Sequence, residues 1–156
     1  QAEQNRVPPS KTTADVWILG SSTYSAHLAA QLGRPYAFAL QFGSADILNT
    51  MRIYRENFRP SKFLAKPYSL VSIGAIADKD PVEARRQSTS SAMAMLRMFQ
   101  RKPFALLPPD EVAKGLENLQ KQTGVDEIMM VVQGYSRRAQ SRTVELIANH
   151  YDMLSN

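Results

Sequence analysis

The chain has 156 residues, 44% of them hydrophobic and 21% charged, a composition that suits one domain able to bury a core. It has no cysteine, which excludes disulfides, thiolate metal sites and cysteine nucleophiles, and its two histidines, His27 and His150, are too few for a histidine-based zinc site without many carboxylates. The net charge is +5, concentrated locally at Arg85-Arg86, Arg137-Arg138 and Arg142, yet no RNP-type aromatic motif, zinc finger or long basic run accompanies it.

Those arginines read as solvated helix faces, a few of which could meet an anionic ligand, so no nucleic-acid partner is expected. No apolar run reaches the ~18 residues of a membrane span. Gln1 is not an initiator methionine, and the first residues lack the basic and apolar blocks of a signal peptide. The expectation is a cytoplasmic, enzyme-like domain with no membrane partner and no metal.

Residues 1–14 are polar, contain Pro8-Pro9 and show no periodicity, so they read as an arm or loop ahead of a single domain over 15–156. "VWILG" (16–20) is a short buried strand, and the helical spacing from Tyr24 to Leu32 ends at Gly33, just past the helix. "PYAFAL" (35–40) is a second strand. Ser44 is placed to cap a helix from Ala45 to about Phe58, with Ile47, Met51 and Tyr54 on one face, and Arg59-Pro60-Ser61 ends it. "YSLVSIGAIA" (68–77) is the longest strand, and Asp80-Pro81 opens the helix that runs through "VEARRQSTSSAMAMLRMF". The span 101–109 is irregular, "DEVAKGLENLQKQTG" (110–124) is a helix closed by Gly124, "DEIMMVV" (126–132) a fourth strand and "RRAQSRTVELIANHYDML" (137–154) the last helix.

The order is therefore βα, βα, βα with an extra helix, then βα, which implies parallel strands joined by right-handed crossovers. Strands apolar on both faces suit a covered parallel sheet. This pattern alone leaves open a small doubly wound sheet or half of a (β/α)8 barrel. "GSSTYS" (20–25) is not the glycine-rich dinucleotide fingerprint, and no P-loop lysine follows it.

The hydroxyl cluster after the first strand is the most informative feature. At a strand-to-helix turn the first helical amides lack internal partners, and the helix dipole favours an anion beside them. "GSSTYS" therefore reads as a phosphate cradle with Ser22 and Ser25 as the best side-chain donors and Gly20 allowing close backbone approach. An ordinary serine N-cap is the other reading of the same residues.

"VWILGSSTYSAHLAAQLGRPYAFA" resembles the central signature of the luciferase-like, flavin-dependent monooxygenases, and the resemblance continues through "YRENFRPS" (54–61), "PYSLVSIGAIADKDPVEARR" (67–86) and "TGVDEIMMVV" (123–132). It implies a (β/α)8 barrel of the TIM type, here about four βα units matching the C-terminal half. It also implies FMN, its phosphate held by Gly20, Ser21, Ser22, Thr23, Tyr24 and Ser25, with reduced flavin and oxygen acting on an aldehyde-type or other small organic substrate. The family's catalytic histidine belongs to the other half of the barrel, so no catalytic residue is assigned. Close relatives often have histidine-phenylalanine where this chain has Gln41-Phe42. Where they usually carry "YDHAARLRS", this chain has "YSRRAQSRT" (135–143): Tyr135, Ala139 and Arg142 agree, while Ser136 and Arg137 replace an aspartate and a histidine. The family's "GS-x-E-x-V" strand and turn before the last helix pair is not visible, and the expectation is a segment deleted or unrecorded between Phe104 and Glu117.

The remaining candidates have simpler readings. Trp17 could stack on an isoalloxazine ring, although a strand tryptophan is more often core. Met93, Met95, Met98, Met129 and Met130 read as core or interface filler. His27 reads as an exposed helix residue, and Arg137 and Arg138 as a solvated helix start that could contact an anion. Two functions follow: an FMN-binding portion of a luciferase-like oxidoreductase, or a non-catalytic flavoprotein or structural remnant acting by association. Half a barrel would leave one sheet face and two strand edges bare. The expectation is thus a homo-oligomer or an N-terminal half-barrel partner, unless the helix at 110–123 folds over the bare face.

Overall fold

Tyr36-Ala37-Phe38-Ala39 is buried at every position, as an inner strand of a parallel sheet requires. A computed structural model of the chain describes residues 15–42, 46–80, 82–84, 86–87, 106–107, 109–132 and 136–151. In chain order they form β1 (Ile18–Gly20), α1 (Thr23–Gln31), β2 (Tyr36–Ala39), α2 (Ile47–Glu56), β3 (Ser69–Ala77), β4 (Leu106–Leu107), α3 (Pro109–Thr123), β5 (Glu127–Val132) and α4 (Arg137–His150). Every strand pairing is parallel: β1 with β2, β2 with β3, and β3 with both β4 and β5. Gly20 lies opposite Phe38, Ala39 opposite Ser72, and Ser72 opposite Met129, so the strands share one C-terminal rim.

The four helices pack on one face. Tyr36, Phe38 and Val71 meet Ala26, Ala29, Ala30, Met51 and Tyr54 in the main core, while Ala75 and Ala77 meet Val112, Leu116 and Ile147 in a second cluster. Strand side chains alternate, so Leu19, Ala37, Leu70 and Met129 project from the opposite face. The central Ala37 and Leu70 are sheltered there, but Leu19 is 67% exposed and Met129 52%. The helix α3 lies in the same layer as the others, through Val112 and Leu116 against Ile147. It does not fold over the bare face, because its apolar stripe is already spent on β3 and α4. Among the described residues, β1 and β5 each keep one unpaired edge.

Local chemistry sets most boundaries. Gly33 and Gly124 adopt positive φ (57° and 59°) immediately beyond α1 and α3, the left-handed conformation that glycine adopts without a Cβ penalty. A Cβ on Gly33 would also strike the Arg59 carbonyl and the Ser61 side chain. The cap of α2 is Asp46, whose Oδ1 accepts the Leu48 N–H at 2.9 Å, and the helix runs from Ile47 to Glu56; Ser44 lies outside the described residues. An aspartate directly before the apolar face satisfies the N2 amide at shorter range than a serine two residues earlier. Asp80 accepts the Val82 N–H at 2.9 Å, as expected of a cap, but most of the helix predicted beyond it, with Met93, Met95 and Met98, is outside the described residues. The arm at 1–14 is outside them too. Within the stretch expected to be irregular, Leu106-Leu107 extends the sheet beside Ile76-Ala77, and Pro109 opens α3.

Tyr54 ties three segments. Its buried hydroxyl lies 2.9 Å from the Arg34 carbonyl and 3.0 Å from the Tyr68 carbonyl, and accepts the Tyr68 N–H at 3.1 Å. Tyr54→Phe keeps the ring but strands the Tyr68 amide and the Arg34 carbonyl, while the Tyr68 carbonyl keeps the Tyr36 N–H. It should lower unfolding free energy by about 1–3 kcal/mol in urea titration, whereas an unchanged midpoint would contradict this role.

Candidate functional site

The C-terminal end of β1 runs directly into α1, and the turn between them is built from its own hydroxyls. Ser22 is the N-cap, with extended backbone (φ −140°, ψ 161°), and forms a reciprocal capping box with Ser25 at the third helical position. The Ser25 hydroxyl donates to the Ser22 carbonyl at 2.7 Å, and Tyr36 of the neighbouring strand donates into the Ser25 oxygen at 3.0 Å. Burial pushes the Tyr36 phenol above its ordinary value, only partly offset by the Ser25 bond, so Tyr36 remains a neutral donor. Ser25 is thus an internal strut. A Cβ on Gly20 would collide with its side chain, so the glycine makes room for Ser25.

This division of labour changes which groups face outward. Ser21 and Thr23 are half-buried, and their hydroxyls make no hydrogen bond within the described residues. Ser22 is exposed, and Tyr24 stands 75% exposed at the start of the helix. The first turn of α1 holds no acidic side chain that would repel an anion. The turn therefore offers hydroxyls, unpaired first-turn amides and the positive end of a helix dipole, with no carboxylate among them. That donor set suits a phosphate. It supplies no cation, so charge neutralisation must come from elsewhere.

Sequence reasoning brought Gly20 to Ser25 together correctly as a turn but missed Tyr36, which stands behind it. The signal was present in the register: Tyr36 shares a strand face with Phe38, and only its polar tip distinguishes it from core. Gln41 is a second addition to the rim. Its Nε2 donates to the Ser72 hydroxyl at 3.0 Å, while its Oε1 is buried with no partner among the described residues. Trp17 lies at the other end of β1, its ring edge-on to Tyr68 with centroids 5.7 Å apart, which is a packing role away from the turn. His27 is exposed on α1, and Met130 packs against the second core cluster. Arg137 and Arg138 are exposed at the start of α4, beyond the end of β5. Among the described residues, no helix is long and apolar enough to cross a membrane.

No family model matches the chain. It is 33% identical to a protein named luciferase-like monooxygenase from Escherichia coli strain K12, over 84% of this chain and 48% of that protein. The protein YvbT of Bacillus subtilis strain 168 is 30% identical over 92% of this chain and 51% of its own length. Among solved structures, apo-MsnO8 superposes with a TM-score of 0.81 at 23% identity, covering 93% of this chain and 53% of that one. The monooxygenase RslO1 from Streptomyces bottropensis gives 0.63 at 19% identity, covering 90% and 48%. The chain thus spans about half the length of the relatives it matches. Across that span, the glycine-hydroxyl turn, the parallel βα order and these likenesses agree, and the chain belongs to the luciferase-like family.

Proposed function

We propose that this chain is the FMN-phosphate-holding portion of a luciferase-like monooxygenase and corresponds to the C-terminal half of its barrel. The observation that carries the reading is the half-buried pair Ser21 and Thr23, whose hydroxyls make no hydrogen bond within the described residues, beside helix-start amides without intrahelical partners. These groups, with Ser22, would hold the phosphate. Ser25 and Tyr36 would fix the turn from behind, and Gln41 would offer its free oxygen to an N–H of the bound group. When bound, FMN in its reduced form would supply the electrons with which oxygen is activated toward an aldehyde-type or other small organic substrate. The chain's own part is to anchor and orient the cofactor.

Replacing Ser21 by alanine and Thr23 by valine together should weaken FMN binding by about 1–3 kcal/mol, roughly 10- to 100-fold, in isothermal titration. Unchanged affinity in a folded double variant would sink the assignment.

The bare sheet face and the open edges of β1 and β5 support a second element of the proposal. Further βα units, from an N-terminal half-barrel or a second copy of the chain, would cover the face and close the barrel. Relatives about twice the matched length are consistent with that. The 156-residue chain by itself should then sediment as a dimer or larger species and show little aldehyde-dependent oxygenation with supplied reduced FMN. A stable monomer at micromolar concentration, or robust turnover by such a monomer, would overturn this.

A further inference from the structure

Arg138 and Arg142, beyond the last strand, line a cleft separate from the β1–α1 turn. It has a volume of about 560 Å³ and lies between the residues following β3 and the first turns of α4. Arg86 is committed to Glu83 through a two-pronged contact, both distances 2.8 Å. That contact holds the Glu83 carboxyl down to about 2. Arg142 lies 3.6 Å from Asp78, a loose pairing. Arg138 has neither ion pair nor hydrogen bond among the described residues.

Two features of this cleft are unexplained by the chain alone. The first is the start of α4, which carries Arg137 and Arg138 and no acidic residue in its first turn. Cations at that end oppose the helix dipole, whereas an anion beside them would be favoured by it. Ser136 caps the Ala139 amide at 3.2 Å, leaving the earlier amides without an intrahelical partner. The second is Gln87, which lines the cleft and is 9% exposed. Its Nε2 donates to Glu83 at 2.6 Å, but its Oε1 is buried with no donor. A buried acceptor left unsatisfied is costly, so this oxygen points to a hydrogen-bond donor that the described residues do not provide.

We infer that this cleft is a binding site for a small organic oxyanion, a carboxylate or a phosphate ester, bearing a hydroxyl or N–H donor close to its charged group. Arg138, Arg142 and the α4 amides take the oxyanion, and Gln87 takes the donor. Both this cleft and the flavin turn follow C-terminal strand ends of one sheet, with β1 and β3 two strand spacings (~10 Å) apart and β3 running on about 20 Å past the level of Gly20. On the flavin reading, the oxyanion is the end by which the substrate is held. Binding at the cleft does not itself depend on that reading.

The test is a titration of the 15N-labelled chain with glycerol 3-phosphate, glycerate and sulfate, followed by amide shifts. Saturable shifts are expected at Arg137, Arg138 and Ala139, and at the Gln87 side-chain amide with the two hydroxyl-bearing probes. Arg138→Gln, a surface change that leaves the fold intact, should weaken all three about tenfold. Gln87→Met removes the acceptor and should weaken glycerol 3-phosphate and glycerate while sparing sulfate, which offers no donor. A difference between glycerol 3-phosphate and glycerate identifies which oxyanion is preferred, and either preference supports the site. Shifts confined to Ser21–Ser25 would overturn this site while leaving the flavin reading intact. Shifts at the α4 start that ignore Arg138→Gln, or no saturable shifts there, would also overturn it. Binding at α4 that persists in the Ser21→Ala, Thr23→Val chain supports the cleft whatever the outcome for FMN.

Discussion

Parallel strands joined by crossovers place their helices on whichever face the crossover crosses, and here α1, α2 and α3, together with α4 after the last strand, all fall on one side. Almost everything else follows from that asymmetry. The face carrying Tyr36, Phe38, Val71 and Ala75 is sealed by α1 to α4, and the face carrying Leu19 and Met129 receives no helix among the described residues. The helix α3, the one element long enough to alter this, shares its apolar stripe with β3 and α4 instead. The C-terminal rim of this sheet is where its strands hand over to the segments that follow them.

On that rim, the first handover shows how a turn is made rigid enough to serve a ligand. Ser25 reaches back to the Ser22 carbonyl and takes a hydrogen bond from Tyr36, while Gly20 leaves the space that Ser25 occupies. The inner hydroxyl is spent on structure so that the outer ones, on Ser21 and Thr23, are held at a fixed place and stay free. The capping and ligand readings of "GSSTYS" are therefore compatible: Ser22 and Ser25 cap, and the hydroxyls of Ser21 and Thr23 make no hydrogen bond within the described residues. After β5, α4 begins with two arginines where the dipole disfavours them, and facing them after β3 is a buried Gln87 oxygen with no donor among the described residues.

Much of this was legible in the residues. Apolar runs of five to ten residues between helical segments marked β1, β2, β3 and β5, and glycines at 33 and 124 marked two helix ends because only positive φ explains them there. What escaped was tertiary. Leu106-Leu107 is too short to carry a period, and becomes a strand only because β3 extends far enough to pair with it. Asp46 displaced Ser44 as the expected cap because side-chain reach to the Leu48 amide, invisible in a pattern, decides the cap. Neither Tyr36 nor Gln87 stood out in the sequence. Their roles depend on which atom remains unpaired after folding, which no spacing encodes. The family resemblance supplied the flavin; the geometry redistributed the roles within the turn.

The central claim is that the outward donors of the β1–α1 turn hold the flavin's phosphate. The most direct measurement is a crystal structure of the chain, with whatever completes its sheet, grown in the presence of FMN. The account predicts phosphate oxygens about 2.7–3.2 Å from the Ser21 and Thr23 hydroxyls and the first amides of α1, with the Ser25–Tyr36 contact preserved. Density for FMN with its phosphate elsewhere and this turn empty, or a Ser25 hydroxyl swung out from Tyr36 to replace Ser21 and Thr23 as the donor, would contradict it.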